Sequence, residues 1–139
     1  MTLSDQQPAG EVGGHGTSLQ EISNAMVQLY KEQFGRGPTR VRTNWAGSDT
    51  VVVILEDTLV RSERNLVKLG EHQRLRDTRL FFQYASIREI CEPVEQATGR
   101  KVRAFISGID TEAEGLSTEL FVMHPAGYDG PSRTDLAEL

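Results

Sequence analysis

The sequence predicts an α+β fold in which two β-hairpins pack with a layer of helices, one of them long, in the order α-β-β-α-α-β-β. Three observations predict it. A helical apolar spacing stops at Phe34-Gly35-Arg36-Gly37-Pro38, and a period of two takes over from Thr39. A β-branched run, Val51-Val52-Val53-Ile54-Leu55, follows a turn at Ala46-Gly47-Ser48-Asp49. After a long helical middle, alternation returns over Lys101–Ile109, and Ser117–His124 follows as a further strand carrying Leu120, Phe121, Val122 and Met123.

The 139 residues fit one domain. Residues 1–16 combine Pro8 and four glycines with polar residues, which predicts a disordered leader because too little apolar surface offsets the ordering entropy. Residues 17–125 form the domain, and residues 126–139 read as a flexible acidic tail. Ser18-Leu19-Gln20-Glu21 has the form of a capping box and marks the start of the first helix. Leu19, Ile22, Met26, Leu29 and Tyr30 keep helical spacing toward Phe34, after which Gly35 supplies a left-handed cap and Pro38 forbids continuation.

In the first strand Val41, Thr43 and Trp45 share one face, and Arg40, Arg42 and Asn44 the other. The unbroken apolar run of the second strand predicts burial on both faces or a place at the sheet centre. Glu56-Asp57-Thr58 offers capping oxygens for a short helix that ends at Gly70. From Glu71 a long helix carries Leu80, Tyr84, Ile87, Cys91 and Val94 as its stripe, widened by Phe81, Phe82 and Ala85, with a kink or restart at Pro93 and an end at Gly99. Its aromatic breadth predicts contact with two surfaces, a sheet and a second subunit, and so a homodimer. In the third strand Val102, Ala104 and Ile106 face one way and Arg103, Phe105 and Ser107 the other.

Composition and spacing exclude several function classes. The longest apolar run, five residues at Val51–Leu55, is far too short to span a bilayer, so no direct membrane insertion is expected. One cysteine cannot form an intrachain disulfide, and with no apolar leader a cytoplasmic setting is expected. Cys91 lies within an apolar stripe, and His15, His72 and His124 show no ligand or triad spacing, so neither catalytic residues, metal nor cofactor are expected and the chain reads as a non-enzyme. Asp110-Thr111-Glu112-Ala113-Glu114-Gly115 copies the first half of a calcium loop, but Phe121 occupies the position of the closing Glu, which leaves a hairpin turn.

Charge is unevenly distributed. Residues 31–109 hold 14 basic against 10 acidic side chains, whereas both ends are acidic and the whole chain carries −5. Arg36, Arg40, Arg42, Arg61 and Arg64 are therefore candidates for an anion- or partner-binding face, the alternative being solvated arginines paired with nearby acids. The element order also matches that of one type of KH nucleic-acid-binding domain. The place of its GXXG loop reads Gly70-Glu71-His72-Gln73, without the second glycine, so a single-stranded nucleic-acid-binding module stands as the second reading.

Lys31-Glu32-Gln33-Phe34-Gly35-Arg36-Gly37-Pro38, together with Glu63-Arg64-Asn65-Leu66, Thr98-Gly99-Arg100-Lys101-Val102 and Glu119-Leu120-Phe121-Val122-Met123, resembles the MpsC-like family from about Ser18 to His124. Phe34, Gly35, Gly37, Pro38, Glu63, Leu66 and Gly99 carry the structural part of that resemblance. The resemblance implies a small bacterial cytosolic protein of a family named for a Na+-translocating membrane-potential-generating system linked to inorganic-carbon uptake. Since the other components of such a system are membrane proteins, it implies an accessory or regulatory role with a membrane-protein partner. The acidic leader and tail lie outside the shared stretch.

Overall fold

The two hairpins join into one antiparallel sheet. In the computed structural model, which describes residues 13–136, helix α1 (Gly13–Phe34) precedes strands β1 (Arg40–Trp45) and β2 (Thr50–Glu56). Helices α2 (Arg61–Lys68), α3 (His72–Ala85) and α4 (Ile87–Thr98) follow, then β3 (Val102–Asp110), β4 (Leu116–Met123) and a short α5 (Arg133–Leu136). Strand order is β1-β2-β4-β3, so the β-branched β2 is central, as its unbroken apolar run predicts. Val51 lies opposite Trp45 on one side and Phe121 on the other, which fixes the register of both pairings.

The helices cover one face of this sheet. Ile22, Met26 and Tyr30 of α1 and Ile90, Cys91 and Val94 of α4 pack on Val51, Val53, Phe121 and Met123 in one core. Each such side chain removed from water contributes about 1.5–3 kcal/mol. The start of the core is set by punctuation that the sequence shows: Gly35, at φ +86°, ends α1 with its amide on the Lys31 carbonyl at 2.9 Å, and Gly99, at φ +70°, ends α4. At β3, an edge of the sheet, the Ser107 amide donates to Tyr84 Oη at 3.0 Å, so α3 covers part of an otherwise open strand edge.

Four expectations are corrected. Helix α1 begins at Gly13, upstream of Ser18, and Ser18 Oγ donates to the Ala97 carbonyl at 2.7 Å instead of capping its own helix; the first twelve residues of the expected leader lie outside the described residues. The long helix divides at Ser86 rather than at Pro93, which sits inside α4. Gln33 Nε2 reaches both the Phe82 carbonyl at 3.2 Å and Ser86 Oγ at 3.1 Å, tying that junction to the end of α1. Strict alternation in β3 fails at a bulge between Val102 and Ala104, so Val102, Phe105 and Ser107 point inward while Ile106 stands outside. The tail expected to be mobile is tied down as far as Leu136: Ser132 Oγ donates to Glu95 Oε2 at 2.7 Å, Lys101 Nζ to the Gly130 carbonyl at 2.6 Å, and Tyr128 stacks on His124 at 3.7 Å. The small residues Ser132 and Thr134 let that segment approach β3 closely enough to bury both.

Candidate functional site

The inner face of the sheet is not uniformly apolar. On β4, alternation sends Ser117, Glu119, Phe121 and Met123 inward, and so drives a carboxylate with 0% exposure into the layer between sheet and helices. On α3 the inward row is Leu75, Arg79 and Gln83, at a spacing of four, so an arginine and an amide enter the same layer. Burial of such groups is expensive unless each is partnered. The structure answers with two linked sets of hydrogen bonds.

The first set surrounds Arg79. Its Nε and Nη2 form a two-pronged pair with Glu63 at 2.6 and 2.8 Å, Nη1 donates to Thr58 Oγ1 at 3.2 Å, and Nη2 also reaches the Thr58 carbonyl. The guanidinium carbon of Arg79 lies 3.9 Å from the centroid of the Phe34 ring, a cation–π contact. Glu63 also accepts the Val60 amide at 2.9 Å, so the carboxylate that neutralises Arg79 caps α2 as well. Thr58 Oγ1 in turn donates to the Gly115 carbonyl at 2.6 Å, connecting the cluster to the β3–β4 turn. Asp57 and Thr58 therefore do not cap α2 as the sequence suggests.

The second set surrounds Glu119. Tyr30 Oη donates to Glu119 Oε2 at 2.6 Å, and Gln83 Nε2 contacts the same oxygen while lying 3.1 Å from Tyr30 Oη. Burial pushes the Glu119 carboxyl up from 4.5 to about 7; hydrogen bonds from Tyr30, Ser107 and Gln83 and the Arg79 charge pull it back only in part. Burial first, then the neighbouring Glu119, holds the Tyr30 phenol well above its ordinary value, so it stays a proton donor. Gln83 Oε1 and Glu119 Oε1 find no hydrogen bond of good geometry among the described residues. The crevice bounded by Tyr30, Arg79, Gln83, Ser107 and Ser117 is too tight to admit a water-sized sphere.

Chemically the cluster is a closed, titratable latch joining α1, α3 and β4, with α2 held through Glu63. Cys91 lies away in the apolar core with its thiol pushed up to about 12, chiefly by burial and further by Glu95, which leaves it inert as a nucleophile. Among the described residues no three His, Cys, Asp or Glu side chains gather as metal ligands. Asp110 turns its carboxylate back onto the amides of Glu112 and Ala113, at 2.9 and 3.1 Å, as an ordinary turn residue.

The candidate arginines take separate places. Arg36 and Arg64 converge, but on Asp57, at 3.2 and 2.9 Å, with Arg36 also donating to the Asp57 and Leu59 carbonyls. Asp57 holds φ +58°, an uncommon left-handed setting stabilised by those two cations. Arg42 pairs with Glu56 at 3.1 Å across the β1–β2 ladder. Arg40 and Arg61 are exposed, on β1 and at the start of α2. The Gly70–Gln73 turn does link two helices, yet the Glu71 amide is bonded to the Leu66 carbonyl at 2.8 Å and His72 Nδ1 to Thr111 Oγ1 at 2.7 Å. Sequence reasoning missed Arg79, Gln83 and Glu119 because it counted apolar residues only. The available signal was positional: Glu119 is in phase with Phe121 and Met123, and Arg79 and Gln83 with Leu75 and Ile87.

The family model described as Na+-translocating membrane potential-generating system (MpsC) matches residues 15–124, the stretch that spans α1 to the end of β4 and includes both hydrogen-bonded sets. No curated protein and no solved structure matches the chain.

Proposed function

Because the chain belongs to the MpsC family, we propose that it is a non-catalytic accessory or regulatory subunit of a Na+-translocating, membrane-potential-generating system, held at the cytoplasmic face by a membrane-protein partner. The match over residues 15–124 carries this reading. No helix of the described residues is long and apolar enough to cross a membrane, and the proposal assigns attachment to the partner. The non-catalytic half is supported by the burial of the most perturbed groups: Glu119, Tyr30 and Cys91 lie buried between sheet and helices, and the crevice beside Tyr30 is too tight to admit a water-sized sphere. The link to inorganic-carbon uptake belongs to the same proposal.

The test is co-purification. Tagged full chain, expressed with the membrane subunits of its own system and extracted in mild detergent, should co-elute with them in fixed stoichiometry. Omitting the chain should lower the Na+-dependent membrane potential reported by a voltage-sensitive dye. Membrane subunits that elute without the chain, together with an unchanged potential, would contradict the proposal.

A further inference from the structure

Among the described residues no layer covers the other face of the sheet. Odd-numbered residues of β2 and β4 enter the core, and the even-numbered ones form a grid: Val52 beside Leu120, Ile54 beside Thr118, Thr50 beside Val122. β3 continues the rows with Ala104 beside Val122 and Ile106 beside Leu120, and Ile106 is 55% exposed. β1 adds Asn44 beside Val52 and Arg42 beside Ile54. Val52, Ile54, Leu120, Val122 and Ile106 thus make an apolar centre outside the core that the helices cover. A solvent-facing antiparallel sheet ordinarily shows polar residues there. Here the run Val51–Leu55 is apolar on both faces, although the fold of one chain buries only one of them.

We infer that a second copy of this chain covers the open face, the two sheets stacking face to face about a two-fold axis that runs along the strands between β2 and β4. Charge placement selects that occupant and that axis. At one end of the grid, Arg40 on the β1 edge lies opposite Glu56, and Asp110 on the β3 edge lies opposite Leu116. Because Leu55 pairs with Ser117, those two rows stand at the same level of the sheet. An axis along the strands lays the β1 edge of one copy over the β3 edge of the other, and so sets Arg40 against Asp110 along both edges of the dimer. An axis across the strands would instead stack β1 on β1 and separate Arg40 from Asp110.

Four strands about 4.8 Å apart and about seven residues long present a footprint on the order of 400 Å², near half of what each partner gives in a standard interface. The dimer is therefore reversible, forming over a micromolar range of concentration. The exposed Phe81 and Phe82 of α3, on which the sequence-based expectation of a dimer rests, lie on a helix rather than on the open face of the sheet.

Sedimentation velocity of the full chain from one to several hundred micromolar tests the inference. A shift from monomer to dimer mass is expected. Leu120→Lys should abolish the shift while leaving the far-UV circular dichroism and melting curve of the dilute protein in place, and Phe81→Ser should leave it unchanged. Arg40→Asp and Asp110→Arg should each weaken association by about tenfold, since symmetry repeats the contact, and the double swap should restore it. Arg40→Asp lies at an exposed strand position and keeps the test valid if Leu120→Lys fails to fold; Asp110→Arg also removes the acceptor of the Glu112 and Ala113 amides, so its melting curve is recorded alongside. Monomer mass at every concentration would overturn the inference. So would dispersal of the dimer by Phe81→Ser, or a double swap no tighter than its parents.

Discussion

The two faces of the sheet reverse the usual arrangement. The covered face holds a carboxylate, an arginine, an amide and a phenol among its apolar residues, whereas the open face is apolar at its centre and charged at its edges. Polar groups inside one chain restrict how the elements fit together, because each must meet a particular partner. Apolar groups outside it make no such selection and gain by any flat cover that excludes water. The difference teaches that the covered face encodes which fold this chain adopts, while the open face is the one that the inferred second copy would cover.

Removing Arg79 should have the largest effect on that comparison. Arg79→Ala leaves Glu63 without its buried partner and Thr58 without a donor, and should lower unfolding stability by about 3–5 kcal/mol in urea titrations. A loss below about 1 kcal/mol would show that the pair lies in solvent and is no organiser of the inner face.

Glu119 gives the next effect, and it depends on pH. The folded carboxyl holds its proton more tightly than the unfolded one, so stability from this group is fully present below pH 4.5 and is lost as pH rises through about 7. Glu119→Gln keeps an acceptor for Tyr30 without the charge, and should flatten that decline by a few kcal/mol at most. Identical slopes of stability against pH in the two proteins would remove Glu119 from the account.

Smaller effects separate fold from surface. Gly35→Val puts a β-branched residue at φ +86° and should cost about 1–2 kcal/mol, while Arg40→Glu, at an exposed strand position, should stay within about 0.5 kcal/mol in dilute protein. Thermal melts in the opposite order would contradict the reading of the Phe34–Val41 stretch as punctuation followed by a strand.

Much of the fold is legible in the sequence because its signals are local. Gly35 and Gly99 mark helix ends, period-two alternation marks β1 and the start of the second hairpin, and the unbroken run at Val51–Leu55 marks β2 as central. The inner polar cluster is not legible in the same way. Arg79 and Gln83 look like solvent-facing residues of an amphipathic helix until Glu63, Thr58, Tyr30 and Glu119, far off in sequence, are placed around them. The stripe through Leu80 and Tyr84 competes with the true row through Leu75, Arg79 and Gln83, and apolar counting favours the wrong one. The bulge in β3 is a tertiary adjustment as well, since it moves Phe105 onto Phe121 at 5.4 Å and turns Ile106 outward. Of the five candidate arginines, their positive charge is visible in sequence, but the Asp57 and Glu56 partners that take up three of them are not.

The most direct test of the contrast between faces is the accessibility of methyl groups to a soluble paramagnetic probe, followed by NMR across a dilution series. Val52, Ile54, Leu120 and Val122 should be strongly relaxed in dilute protein and progressively shielded as concentration rises, while Val51, Val53 and Met123 stay shielded throughout. Outer-face methyl groups that remain equally accessible from micromolar to millimolar protein would contradict the account.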